Sequence, residues 1–153
     1  MGMNTEILAR LGISTLLGLL IGWERESAKK PAGLRTHALV SLGSCMFMLI
    51  ATEGPRVWGL TTVDPTRLAQ GVATGVGFLG AGAIIQSGVN VHGLTTAATI
   101  WVVCAAGASV GAGMKEIGVV GSVIGLIVLR GLAFLDTLAM RARRDKEPPA
   151  GGI

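Results

Sequence analysis

Glu24 and Arg25, then Arg35, Thr36 and His37, and further along Asn90, His92, Thr95, Thr96 and Thr99 are the residues of this 153-residue chain whose types could do chemistry. Thr95 or Thr96 can cap a helix that starts there, because a threonine hydroxyl accepts from a free first-turn amide, and Thr99 then lies one turn on along the same face. Glu24 is a counter-ion for Arg25 or Arg35. Arginines beside a helix N-terminus also suit an anion or an acidic peptide. A girdle of caps and surface ion pairs would use the same residues, and the spacing favours neither reading. For an enzyme the only support is His37 and His92 near Glu24, too little to act on. Cys45 and Cys104 stand in apolar segments without a C-x-x-C, a paired histidine or a carboxylate cluster, so no metal, disulfide scaffold or cofactor is expected.

The elements that must position these residues are membrane helices. Half of the residues are hydrophobic, 14% are charged and 24 are glycine, whereas a soluble domain carries about a quarter charged residues. Residues 68–114 hold no formal charge with His92 neutral. As one helix that stretch would extend about 70 Å, more than twice a bilayer core. It must be a helical hairpin, broken at the polar, glycine-bounded run from Ser87 to Gly93. With about 20 residues per crossing, the chain divides into five spans at residues 7–23, 36–52, 68–86, 94–112 and 117–138. The expected fold is therefore all-α and integral to the membrane: a five-helix transmembrane domain over residues 1–140, then a disordered basic tail over 141–153. The first span leads into Gly22-Trp23-Glu24-Arg25 and not into a cleavage site, so it reads as a retained helix.

Lysine and arginine set the orientation. The first loop and the tail hold eight of them, against three (Arg56, Arg67 and Lys115) in the second and fourth loops. The N-terminus is expected outside and the C-terminus in the cytoplasm. This topology accounts for the basic residues and the net charge of +4, so no nucleic-acid partner is expected. Within span one, Glu6 and Arg10 stand four apart and can pair along the helix.

In lipid, small residues four apart let helix backbones approach closely. Gly18 and Gly22, Gly71 and Gly75, Gly107 and Gly111, and Gly121 and Gly125 have that spacing, and Gly77, Gly80 and Gly82 crowd the third span. A tightly packed bundle follows, with span three as a central helix or a locally unwound one. Cys45 and Cys104 fall at similar depth and read as small buried neighbours.

Four ordered blocks carry a resemblance: Gly22-Trp23-Glu24-Arg25, the run from Ala32 to Val40, Gly75-Val76-Gly77-Phe78-Leu79-Gly80-Ala81-Gly82, and the run from Asn90 to Trp101. In that order they resemble the signature blocks of the MgtC/SapB family of bacterial inner-membrane proteins, across nearly all of residues 7–138. The resemblance implies a five-helix membrane domain and a role in growth at low magnesium and in virulence. It also implies action on membrane-protein partners, among them ATP synthase or a small regulatory peptide. Glu24, Arg25, Arg35, Asn90, Thr96, Thr99 and Trp101 fall on the family blocks, and Thr36 lies within the second. MgtC-type members carry a functionally important asparagine where this chain has Thr95, and they continue into a soluble ACT-like domain. This chain resembles the short SapB-like form.

Two functions follow. The first is a non-enzymatic regulator acting through membrane partners in magnesium or acid stress, with lipid around it and a second copy as a further candidate partner. The second is a small transporter or channel for Mg2+ or another ion, motivated by the glycine-rich third span with Gln70 and Thr74.

Overall fold

The computed structural model describes residues 2–59, 64–87 and 90–144, with side chains over 5–59, 64–84 and 90–133. Five helices run in order: α1 (Gly2–Ser27), α2 (Leu34–Trp58), α3 (Pro65–Gly82), α4 (Leu94–Gly111) and α5 (Lys115–Arg144). Four contain stretches long and apolar enough to cross a membrane: Thr5–Ser27, Leu34–Trp58, Leu94–Gly111 and Lys115–Ala133. α3 is not among them, because Arg67, Gln70 and its many glycines lower its hydropathy.

The break between α3 and α4 is more ordered than a loop. β1 (Ile85–Ser87) pairs antiparallel with β2 (Asn90–His92), Gln86 opposite Val91. Gln86 therefore belongs to a strand and not to the third helix, which ends at Gly82. At the other end of α3, Asp64 caps the helix and Pro65 occupies its first turn, where a missing amide hydrogen does no harm. Hydrogen bonds from the Thr66 hydroxyl and amide hold the Asp64 carboxyl below the usual carboxylate range. Helix α5 continues through Arg144, so residues 141–144, expected in a disordered tail, are helical; the rest of that tail lies outside the described residues.

α4 touches every other helix, and α2 packs between α1 and α4. The expectation of a central third span is corrected: α3 lies at the periphery against α4 and one side of α2, with Val76 as its buried side chain. The reason lies in which glycines meet a neighbour. A Cβ on Gly18 would come 2.5 Å from the His37 carbonyl oxygen, and one on Gly22 would come 2.8 Å from the Leu34 Cα. On α4, Cβ atoms at Gly107 and Gly111 would strike the carbonyl oxygens of Ser41 and Cys45. These four glycines bring three backbones together, as helices in lipid require when dispersion and hydrogen bonding replace the hydrophobic effect. Gly118 does the same for α5, against Val110 and the Ala106 carbonyl. Gly71, Gly75, Gly77 and Gly82 face open space within this chain, and Gly80 makes only an ordinary contact with Ala97, 3.8 Å away.

A polar seam runs through the α1–α2–α4 interior. The Ser41 hydroxyl donates to the Ser14 carbonyl of α1 at 2.7 Å, and the Ser44 hydroxyl lies 2.6 Å from the Val40 carbonyl and 3.2 Å from Cys104 Sγ. The two buried thiols are free and belong to separate apolar clusters, Cys45 with Leu17, Leu49 and Val110, Cys104 with Val76 and Ile100. Ser44, not Cys45, is the hydrogen-bonding neighbour of Cys104. Among the described residues no buried side-chain polar atom lacks a partner.

Candidate functional site

The end of α1, the start of α2 and the start of α4 meet at one end of the bundle. There the Arg25 side chain folds back on its neighbour, Nε 2.5 Å and Nη2 2.7 Å from the two Glu24 carboxylate oxygens. Both residues are buried, at 7% and 4% exposure. Adjacent helical residues do not normally face one another. A planar guanidinium on a flexible stem can still offer both donors to one carboxylate, and burial makes such a satisfied pair necessary. Arg35, the alternative counter-ion, is exposed.

His37 is fully buried beside this pair. Its Nδ1 lies 2.9 Å from the Gly33 carbonyl and its Nε2 lies 3.1 Å from Thr99 Oγ1 on α4. Thr99 Oγ1 is also 2.8 Å from the Thr96 carbonyl. Thr96 and Thr99, three apart, form the buried face of α4's first turns. The expected threonine cap is corrected. Gly93 caps α4 without a side-chain bond, at φ 88°, and a Cβ there would collide with the Ala83 carbonyl. Only glycine fits that left-handed approach. Thr95 and Thr96 therefore sit inside the helix, one turned outward and one inward.

The structure divides the predicted cluster. Glu24, Arg25, Thr96 and Thr99 gather with His37 in the interior. Arg35, Thr36, Asn90 and Thr95 are exposed around them, and Trp101 lies on the outer side of α4, lining an apolar groove of about 250 Å³ against α3. His37 is the member the motif reading undervalued. Its signal was present: His37, Ser41 and Ser44 recur at helical spacing along one face of α2, a polar stripe that marks a buried seam.

The opposite end holds a second charged group. Arg10 Nε pairs with Glu6 at 3.0 Å, and its Nη1 donates to the Gly111 carbonyl at 3.1 Å and stands 3.9 Å from Glu53. Lys115 Nζ completes the group, 2.7 Å from Glu6. Spacing within α1 foretells Glu6–Arg10, but not the links to α2, α4 and α5.

Among the described residues, grooves open between neighbouring helices. One of about 590 Å³ runs between α2 and α3 and is lined by Phe47, Gly71, Gly75 and Cys104. Another of about 320 Å³ runs between α4 and α5, where Thr95 and Thr99 are the only polar residues of its lining. Among the described residues no three His, Cys, Asp or Glu side chains converge to hold a metal ion.

The chain is 47% identical over 130 residues to the Escherichia coli (strain K12) protein named "Putative magnesium transporter YhiD", covering 83% of this chain and 60% of that protein. It is 40% identical over 118 residues to SapB of Bacillus subtilis (strain 168), covering 74% of this chain and 50% of SapB. With MgtC of Salmonella typhimurium (strain LT2) it shares 46% identity over 102 residues, 66% of this chain and 40% of MgtC. It thus spans between two fifths and three fifths of the length of these three relatives. No solved structure matches it. The model of the MgtC family matches residues 11–138, which include the buried pair, the His37–Thr99 contact and the glycine-packed core. This chain belongs to the MgtC family, as a multi-pass membrane protein.

Proposed function

We propose that this chain is a non-enzymatic regulator of the bacterial inner membrane that acts by binding other membrane proteins during magnesium or acid stress. In this reading all five helices lie within the bilayer, with the N-terminus outside and the C-terminus in the cytoplasm. The observation that carries it is the closed interior. Gly18, Gly22, Gly107 and Gly111 bring α1, α2 and α4 into backbone contact, while the grooves open outward between helices, where a partner helix can lie. The family's link to ATP synthase makes that enzyme the first partner to test, with a small regulatory peptide as the second.

The name carried by YhiD favours a second reading, magnesium transport. Reconstitution separates the two. The regulatory reading expects that the pure chain in proteoliposomes moves no Mg2+ above protein-free vesicles, and that it lowers ATP synthesis when co-reconstituted with ATP synthase. Saturable Mg2+ flux by the chain alone would replace regulation with transport.

A further inference from the structure

We propose that His37 is a proton-binding site inside the bundle, whose occupancy decides whether the Thr99 hydroxyl bonds the imidazole ring or the Thr96 carbonyl. The argument is one of hydrogen-bond accounting. The Gly33 carbonyl can only accept, so the His37 Nδ1 that faces it at 2.9 Å carries a hydrogen. Thr99 Oγ1 faces two groups, His37 Nε2 at 3.1 Å and the Thr96 carbonyl at 2.8 Å, and has one hydrogen to give. With a neutral ring that hydrogen goes to Nε2, which must accept. With a cationic ring Nε2 donates, and the Thr99 hydroxyl turns to the Thr96 carbonyl. Both states satisfy every buried polar atom of the triad, so the exchange leaves none stranded in the interior.

Among the described residues, two charged groups and three neutral polar groups surround the ring. The charged groups acting on the ring are Arg25 and Glu24 of α1, which oppose one another and are bonded together. From α4 the ring meets the Thr99 hydroxyl, and from the α1–α2 corner the Gly33 carbonyl. Ser41, one turn along α2, is committed to the Ser14 carbonyl. On its other side Thr99 lines the groove between α4 and α5, together with the exposed Thr95 at the start of α4. A hydronium ion that reaches this end of the bundle gives its proton to Thr99 Oγ1 as the hydroxyl's own proton passes to Nε2. Water is released, the ring gains one positive charge and no electrons change hands. The new O–H then points to the Thr96 carbonyl. The start of α4 thereby registers a proton bound on α2.

The test uses the full chain in phospholipid nanodiscs, with His92→Gln leaving one imidazole, and follows ring 15N and Thr96 carbonyl 13C signals from about pH 9 to about pH 4. At high pH a neutral ring protonated on Nδ1 is expected. On acidification both nitrogens become protonated, and the Thr96 carbonyl shift moves with the same midpoint. Because hydrogen bonds from a charged donor are the stronger ones, Thr99→Val should lower that midpoint by roughly one pH unit, and Thr99→Ser should restore it. A ring that stays neutral wherever the protein is folded overturns the proposal. So does an Nε2-protonated neutral form, a Thr96 carbonyl that ignores the titration, or an unmoved midpoint in folded Thr99→Val. If Thr99→Val fails to fold, the tautomer and the Thr96 signal of the parent chain decide.

Discussion

Gly107 of α4 rests on the Ser41 carbonyl of α2 so closely that a methyl group at position 107 would overlap the Ser41 backbone. The same residue, Ser41, donates its hydroxyl to the Ser14 carbonyl of α1. One turn of α2 therefore fixes the distances to both of its main neighbours, with a missing side chain on one side and a hydrogen bond on the other.

Two glycine substitutions of the same chemistry should then have opposite effects. Gly107→Ala forces α2 and α4 apart and should destabilise the bundle by about 1–3 kcal/mol or more, as overpacking does. Gly75→Ala meets open space, and its better helix propensity should leave stability unchanged or raise it by up to about 1 kcal/mol. Thermal unfolding of both variants in detergent, read by circular dichroism, checks the contrast. Equal loss in the two would mean that α3 is packed as tightly as α4.

The buried Glu24–Arg25 pair predicts an asymmetry between single and double changes. Glu24→Ala strands a buried guanidinium, and a broken buried pair typically loses about 3–5 kcal/mol. Glu24→Leu combined with Arg25→Met removes both charges and should lose much less. Denaturant unfolding of the two variants provides the comparison; a double variant as unstable as the single one would show that packing, not charge, is what the pair supplies.

Much of this was legible in the sequence, and the parts that were not have physical reasons. Hydropathy and charge located the helices to within several residues, because the cost of burying charge in lipid leaves a strong one-dimensional signal. Glycine spacing found the contacts at Gly18, Gly22, Gly107 and Gly111. It gave the same signal at Gly71 and Gly75, which face open space, since spacing records that a backbone could approach and not that a neighbour is there. Thr96 and Thr99 were found by periodicity. His37 entered only with His92, as slight support for an enzyme, because the contact that gives it a place, with Thr99, joins two helices and leaves no mark in local spacing. The link between Arg10 and Gly111 spans 101 positions and joins a side chain to a backbone carbonyl, which no motif encodes.

Topology is testable without structure. Reporter fusions after Pro31, Asn90 and Arg143 should read cytoplasmic, and one after Asp64 periplasmic. The decisive position is Asn90: α3 is the helix too polar to qualify as a span by hydropathy alone. If α3 does not cross, the fusions at Asp64 and Asn90 will report the same side. In that case the start of α4 would lie on the opposite face from the start of α2, against the His37–Thr99 contact that joins them at one end of the bundle.

Arg10 should be the most sensitive residue at the opposite end. Its guanidinium joins Glu6 of its own helix to the Gly111 carbonyl at the end of α4, with Glu53 of α2 alongside. A cation at a helix C-terminus bonds a carbonyl left without an intrahelical partner and opposes the helix dipole. Arg10→Met removes both effects and should destabilise by about 1–3 kcal/mol. Lys115→Met removes one solvent-screened ion pair with Glu6 and should lose much less. Arg10→Lys keeps the charge but cannot reach Glu6 and Gly111 together with one ammonium, so it should fall between the two. Unfolding of the three variants at low and high salt orders them. Equal sensitivity to salt in Arg10→Met and Lys115→Met would indicate that Arg10 acts only as a surface charge and that its bond to the end of α4 contributes nothing.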